Sequence, residues 1–179
     1  MSVWHRAGDQ MPESDWPVAY FITFTTYGTW VHGDERGSVD RNHNIPGTPY
    51  LAPNRRRVAW ERRLSRQQPV TLDSAGRAVV KTAIEQVCRH RDWSLHALNV
   101  RTNHVHAVVS TPVRPEVVLH DFKAYATRAL RPAECAGQGA SPWTAGGSTR
   151  YLWRPAALWA ACRYVTDDQG LDLGSEPPQ

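Results

Sequence analysis

Cysteine is scarce in this 179-residue chain: Cys88, Cys135 and Cys162 are odd in number and far apart. That spacing excludes a disulfide framework and a zinc-ribbon pattern. Lysine is scarcer still. Of 21 cationic residues only Lys81 and Lys123 are lysines, and all the others are arginines. No stretch approaches the ~20 consecutive apolar residues that a membrane-spanning helix needs. The first residues, Met-Ser-Val-Trp-His-Arg-Ala-Gly-Asp, carry no signal-peptide core. What remains is the composition of an ordinary folded protein, 41% hydrophobic and 21% charged. A cytoplasmic, reduced, single-domain protein with a real core is expected.

Charge is present and one-sided, with a net +4 and a pI near 9.2. Arginine forks onto phosphate oxygens and stacks on bases, which suits a nucleic-acid partner. A GC-rich genome that prefers arginine codons gives the same composition. The densest run, residues 54–68, holds Arg55, Arg56, Arg57, Arg62, Arg63 and Arg66 with Val58, Trp60 and Leu64 between them. It predicts a short basic helix capped by Asn54, either a phosphate-contacting surface or a solvated charged face.

Along the chain, 1–17 reads as a loose arm, 18–166 as the domain and 167–179 as a disordered tail. Residues 18–27 are dense in β-branched and aromatic side chains and predict a strand, with Tyr20, Ile22 and Phe24 on one face and Phe21 and Thr23 on the other. Turn formers crowd residues 28–53, a long loop holding Trp30, His32, Asp34, Glu35, Asp40 and His43. Such a loop either makes a second metal site or DNA contact, or is held by Asx turns and buried aromatics. A helix is expected from Asp73 or Ser74 to about Arg91, with Val79, Val80, Ala83, Ile84, Val87 and Cys88 as its apolar stripe. Two strands follow within 95–110, joined by a turn at 101–103. A second helix runs from about Glu116 to Arg131, with Val118, Phe122, Tyr125 and Ala129 as its stripe. Residues 132–149 read as a flexible loop, 151–153 as a short strand and 155–165 as a third helix. The order favours an α+β fold, an antiparallel sheet with helices packed on one face, related to ferredoxin-like folds.

The residues with chemistry in them lie on the second of the two central strands. His104 and His106 are one residue apart, so in a strand both imidazoles share a face and can converge on one divalent cation. Val105 and Val108 are assigned to the opposite face. Two histidines alone also occur by chance on a strand. Here the pair sits on a central strand and is followed, 19 residues on, by the helical Tyr125. If that phenol faces the histidines, a cation held there stabilises charge as the phenol attacks a phosphodiester. Otherwise it is a core tyrosine with a backbone partner for its hydroxyl.

Asn103-His104-Val105-His106 followed by Lys123-Ala124-Tyr125 resembles the single-tyrosine HUH transposases, where U is a bulky hydrophobic residue. That family includes the insertion-sequence TnpA-like and the REP-associated tyrosine transposases. Gly28-Thr29-Trp30, residues 32–37 and residues 147–153 resemble one bacterial branch of it, and the likeness spans 18–164. The resemblance implies the HUH endonuclease fold and a Mg2+- or Mn2+-dependent endonuclease and strand transferase on single-stranded DNA. It implies a 5′-phosphotyrosine intermediate on Tyr125, metal ligation by His104 and His106, and hairpin-forming DNA as partner. TnpA-like members form homodimers, sometimes with the tyrosine acting in trans, and REP-associated members can be monomeric. Relatives often take a third metal ligand from one turn after the tyrosine. Here that position is Ala129, which leaves Asp121, His120 or Asp34 as candidates. Arg55, Arg56, Arg57, Arg62, Arg63, Arg101, Lys123, Arg128 and Arg131 are the candidate nucleic-acid contacts.

Two other readings of the residues stay open. One is a catalytically inactive, domesticated protein that grips hairpin DNA or structured RNA through its arginines. The other is a hydrolytic metalloenzyme acting on a small phosphodiester.

Overall fold

A computed structural model describes residues 16–29, 54–65, 68–131 and 141–167. Its elements are β1 (Ala19–Thr25), α1 (Arg55–Leu64), α2 (Ser74–His90), β2 (Ser94–Val100), β3 (His104–Ser110), α3 (Pro115–Leu130), β4 (Ser148–Leu152) and α4 (Pro155–Thr166). The four strands form one sheet in the order β2-β3-β1-β4, with every neighbouring pair antiparallel. The α+β class and the antiparallel sheet expected from the sequence are what the chain adopts.

The helices begin where local chemistry starts them. Asp73 caps α2 by accepting a hydrogen bond from Gly76 N at 2.7 Å, and Asn54 accepts one from Arg57 N at 3.0 Å at the head of α1. Proline occupies the first turn of both α3 and α4, where its missing N–H costs nothing.

Alternation along β1 builds two different faces. Tyr20, Ile22 and Phe24 join Val105, Ala107 and Val109 of β3 under α2 and α3. Val80, Ile84 and Val87 of α2, with Val118, Phe122, Ala126 and Leu130 of α3, complete this main core. Trp143 closes one end: its ring stands edge-on to Phe24, and its Nε1 donates to Thr127 Oγ1 at 3.0 Å. Part of the stretch expected to be a flexible loop, residues 141–147, is therefore anchored in the core, while 132–140 lie outside the described residues.

The opposite face carries a smaller core of Ala19, Ala97, Val108, Leu152 and Val165, with Phe21, Ala157, Leu158, Ala161 and Cys162 packed on it. Val108 thus shares the histidines' face rather than opposing it, because positions 104, 106 and 108 have one parity along the strand. The C-terminal segments are integral to the fold. β4 is the fourth strand, and α4 covers part of the face that α2 and α3 leave open. A glycine makes the turn into β4 possible, since a Cβ on Gly147 would sit 2.9 Å from the Thr23 carbonyl oxygen. Most of the long 28–53 loop, the first 15 residues of the arm and the tail from 168 lie outside the described residues.

Candidate active site

A row of polar side chains crosses the α4 face of the sheet. Register aligns Asn99 of β2 with His106 of β3, and His106 with Thr23 of β1. Each holds its neighbourhood in place. Thr23 Oγ1 lies 2.8 Å from His106 Nδ1, and Asn99 Nδ2 donates to the Val165 carbonyl at 2.9 Å, tying the end of α4 to the sheet. One row along, His104 pairs in register with Thr25, and its Nδ1 lies 2.7 Å from Asn103 Oδ1.

These contacts fit one tautomer of both rings. An amide oxygen only accepts, so His104 Nδ1 carries the proton and Nε2 holds the lone pair. Thr23 Oγ1 can accept from His106 Nδ1 in the same way, its own proton rotating elsewhere. Both rings then present Nε2 as donor to a metal, each fixed from behind by a polar partner, which is the usual arrangement around metal-bound histidine. The rings are 4.7 Å apart, centre to centre. His106 is only 8% exposed. Burial, with smaller contributions from His104 and Arg101, pushes its pKa from 6.5 down to about 4. It is therefore neutral, the form that ligates. Two imidazoles fit half of a divalent site, and among the described residues no group of three potential metal ligands assembles.

The tyrosine beside this pair is Tyr164, from the last turns of α4. Its ring centre is 5.8 Å from that of His106 and 5.9 Å from that of Phe21. It is 44% exposed, reachable from solvent. Its neighbour Val165 is fully buried and, with the Asn99 hydrogen bond, fixes the end of the helix.

Tyr125 lies elsewhere. It packs against the main core, on the α2/α3 face, with the sheet between it and the histidines. The buried line of α3 runs through Val118, Phe122, Ala126 and Leu130 rather than through Tyr125 and Ala129, which are half-buried at its margin. The Arg128 guanidinium covers the Tyr125 ring at 4.4 Å. The expected meeting of Tyr125 with His104 and His106 within one chain does not occur, because β3 alternation sends the histidines to the other face.

The proposed third ligands on α3 stay with Tyr125. Asp121 is buried there, its Oδ2 2.9 Å from Arg91 Nη2, and His120 is exposed next to it. Asp34 lies outside the described residues, as do Trp30, His32, Glu35, Asp40 and His43. The cationic candidates divide between regions. Arg101, in the β2–β3 turn, is close enough to affect His106 electrostatically. Arg128 and Arg131 line a recess on the outer side of α3. Arg55, Arg56, Arg57 and Arg63 are exposed on α1, and the side chain of Arg62 lies outside the described ones. Lys123 is turned inward: its ammonium donates to the carbonyls of Thr144 (2.7 Å) and Gly146, and burial lowers its pKa. It braces the loop into β4. Cys88 is buried, its thiol pushed up to about 12, which removes it as a nucleophile.

Sequence reasoning missed Tyr164 and Arg150. Arg150 sits on β4, in register with Phe21, and lines a cleft with His106 and Tyr164. Tyr164 falls in the expected third helix, but no local pattern there shows that this helix returns to the histidines' face.

With this geometry in view, comparison with known families is decisive at one level. The model of the family described as "Transposase IS200 like" matches residues 53–146, which span α1 to the loop before β4. The chain belongs to the IS200-like transposase family. Membership makes it a DNA-processing protein. A solved structure titled as a REP-associated tyrosine transposase bound to a REP hairpin is similar over 92% of this chain and 70% of that one, with 13% identity and a TM-score of 0.50. That likeness is one of fold. A putative transposase from Deinococcus radiodurans R1 aligns over 92% of this chain and 100% of its own, at 14% identity and a TM-score of 0.42. No curated protein matches the chain. Among the described residues, no helix is long and apolar enough to cross a membrane.

Proposed function

We propose that this IS200-like transposase cuts and rejoins single-stranded DNA through a covalent tyrosine intermediate, with His104 and His106 as metal ligands and Tyr164 as the nucleophile. The observation that carries the reading is the grouping of one exposed phenol and two imidazoles on a single face of the sheet. Tyr164 takes the role that sequence reasoning gave to Tyr125.

The chemistry is a pair of transesterifications. The Tyr164 phenol loses its proton to solvent and its oxygen attacks the scissile phosphorus. A 5′-phosphotyrosine forms, and the 3′ oxygen leaves and takes up a proton. In the reverse sense a 3′-hydroxyl attacks the phosphotyrosine, rejoins the strand and frees the phenol. A phenol with a pKa near ~10 is a weak nucleophile. His104 and His106 would hold Mg2+ or Mn2+, which when bound would supply Lewis-acid stabilisation of the phosphate charge. Thr23 and Asn103 hold the two rings in the ligating tautomer, and Asn99 with Val165 keeps Tyr164 beside them.

The choice of tyrosine also accounts for the ligand that seemed absent. Four residues after Tyr125 is Ala129, whereas four residues after Tyr164 is Asp168, an oxygen ligand suited to Mg2+ or Mn2+. Asp168 lies outside the described residues. Asp167, immediately before it, is exposed at the end of α4.

The test is adduct formation with a pool of single-stranded oligonucleotides in Mn2+, read as a slower-migrating protein band. The wild type and Tyr125→Phe form the adduct, and Tyr164→Phe does not, with all three folded by circular dichroism. An adduct that persists in Tyr164→Phe and disappears in Tyr125→Phe overturns the assignment. Specific recognition of hairpin-forming DNA and assembly as a homodimer belong to the same reading. A catalytically inactive DNA- or RNA-gripping protein is the alternative, and it binds without forming an adduct in any variant.

A further inference from the structure

A cleft of about 420 Å3 opens beside the histidine pair, between the β4 edge of the sheet and α4. Phe21 and Leu152 line it from the sheet, and Ala157 and Ala161 line it from the helix. His106 and Tyr164 stand at one end, and Arg150 is the cationic group in its wall. The Phe21 and His106 rings stand side by side with centres 5.4 Å apart, tilted by 30° to each other. Across from them the helix offers the methyl groups of Ala157, Ala160 and Ala161, with the Tyr164 ring at one end.

We propose that this cleft binds a single guanine, the base next to the phosphate being cut, and so sets a sequence preference at the cleavage site. The inference rests on the function proposed above, which puts the scissile phosphate at Tyr164 and His106. Three observations select the occupant. The space is lined mainly by apolar side chains with the Phe21 ring in its wall, suited to an aromatic ring, and its volume accommodates a purine. It is continuous with the two groups that flank the reacting phosphorus, so the adjoining nucleotide is the one that reaches it. Its cationic group is an arginine, which has five N–H donors and no acceptor. Guanine alone among the bases presents two acceptors, O6 and N7, side by side to such a fork, whereas adenine puts a donor at the matching position. Phe21 and Ala161 supply the stacking surface, and Arg150 supplies the choice of base.

Binding to the full-length protein in EDTA tests the cleft apart from the chemistry. The probes are an oligothymidylate, the same strand with one central guanine, and the same strand with one central abasic site, followed by fluorescence anisotropy. In the wild type the guanine strand binds about tenfold tighter than plain oligothymidylate, and the abasic strand shows no gain. Ala161→Phe fills the cleft and removes the guanine gain. Arg150→Ala removes it too, at an exposed position that leaves folding intact. Arg150→Lys keeps the charge but not the fork, so it also loses the gain. Equal binding of all three strands by the wild type overturns the proposal, as does a guanine gain that survives in Arg150→Ala or Arg150→Lys. The adduct assay separates the two readings. A wild type that forms the adduct without a guanine preference overturns the cleft alone, and an adduct that persists in Tyr164→Phe while the guanine preference is kept upholds the cleft and overturns the nucleophile.

Discussion

The two faces of the sheet are built from the same strands and serve opposite ends. On the α2/α3 face, Tyr20, Ile22 and Phe24 of β1 meet Val105, Ala107 and Val109 of β3, and each of these six is 1% exposed or less. On the α4 face, alternate residues of the same strands are Phe21, Thr23, His104 and His106, interrupted by a cleft and covered by one helix. Stability is concentrated on the first face, which frees the second to hold polar groups that cost energy to bury. The histidine site lies in the second, and the groups placed near it there come from three parts of the chain: Asn99 and Arg101 from the end of β2 and the turn after it, Arg150 from β4 and Tyr164 from α4.

Truncating one aromatic residue on each face measures that division. Phe122→Ala in the main core should cost roughly 3–5 kcal/mol of unfolding free energy in urea titrations. Phe21→Ala, half-buried on the site face, should cost well under half as much while weakening DNA binding. Equal losses would mean that the two faces share the load.

Acid distinguishes the faces next. His106 has its pKa lowered to about 4 in the fold, against 6.5 for an unfolded histidine. Between those values the unfolded chain takes up a proton that the folded chain refuses. Stability is therefore fully present above the unfolded value, falls as pH drops from 6.5 towards 4, and levels off below. For His106 the loss between pH 7 and pH 5 is about 2 kcal/mol. Urea midpoints at the two pH values measure it, and His106→Asn should remove most of the difference.

Smaller effects test how the site is held. Thr23→Val conserves shape but deletes the hydroxyl behind His106 Nδ1, and Mn2+ affinity should fall by about tenfold or somewhat more in calorimetric titration. Asn99→Ala cuts the tie to the Val165 carbonyl and should cost about 1 kcal/mol. It should also slow adduct formation with little change in DNA affinity, since Tyr164 loses a positional restraint. A variant that lowers both equally would place Asn99 in DNA binding instead.

Much of this arrangement was legible in the chain. Alternation in 18–27 separated Phe21 and Thr23 from Tyr20, Ile22 and Phe24, and the His-Val-His spacing put both imidazoles on one face. The Asp73 cap and the proline in the first turn of α4 marked helix starts. The tyrosine was not legible, for a physical reason. A helix stripe shows that a side chain meets a sheet, but it does not show which of the sheet's two faces it meets. Tyr125 has apolar neighbours at helical spacing, and those set it against the margin of the main core. Tyr164 lies beyond a Gly- and Pro-rich stretch, where local pattern carries no information on the route back to the sheet.

The sequence by itself determined the local terms: which segments are strands and helices, which residues alternate together, and that two imidazoles stand side by side. Tertiary structure alone decided which tyrosine, which arginine and which asparagine face them. Asn99 comes from the adjoining hairpin strand, where register sets it opposite His106, whereas Arg150 and Tyr164 lie tens of residues further on, and only the order of strands in the sheet and the side on which α4 packs bring them within reach.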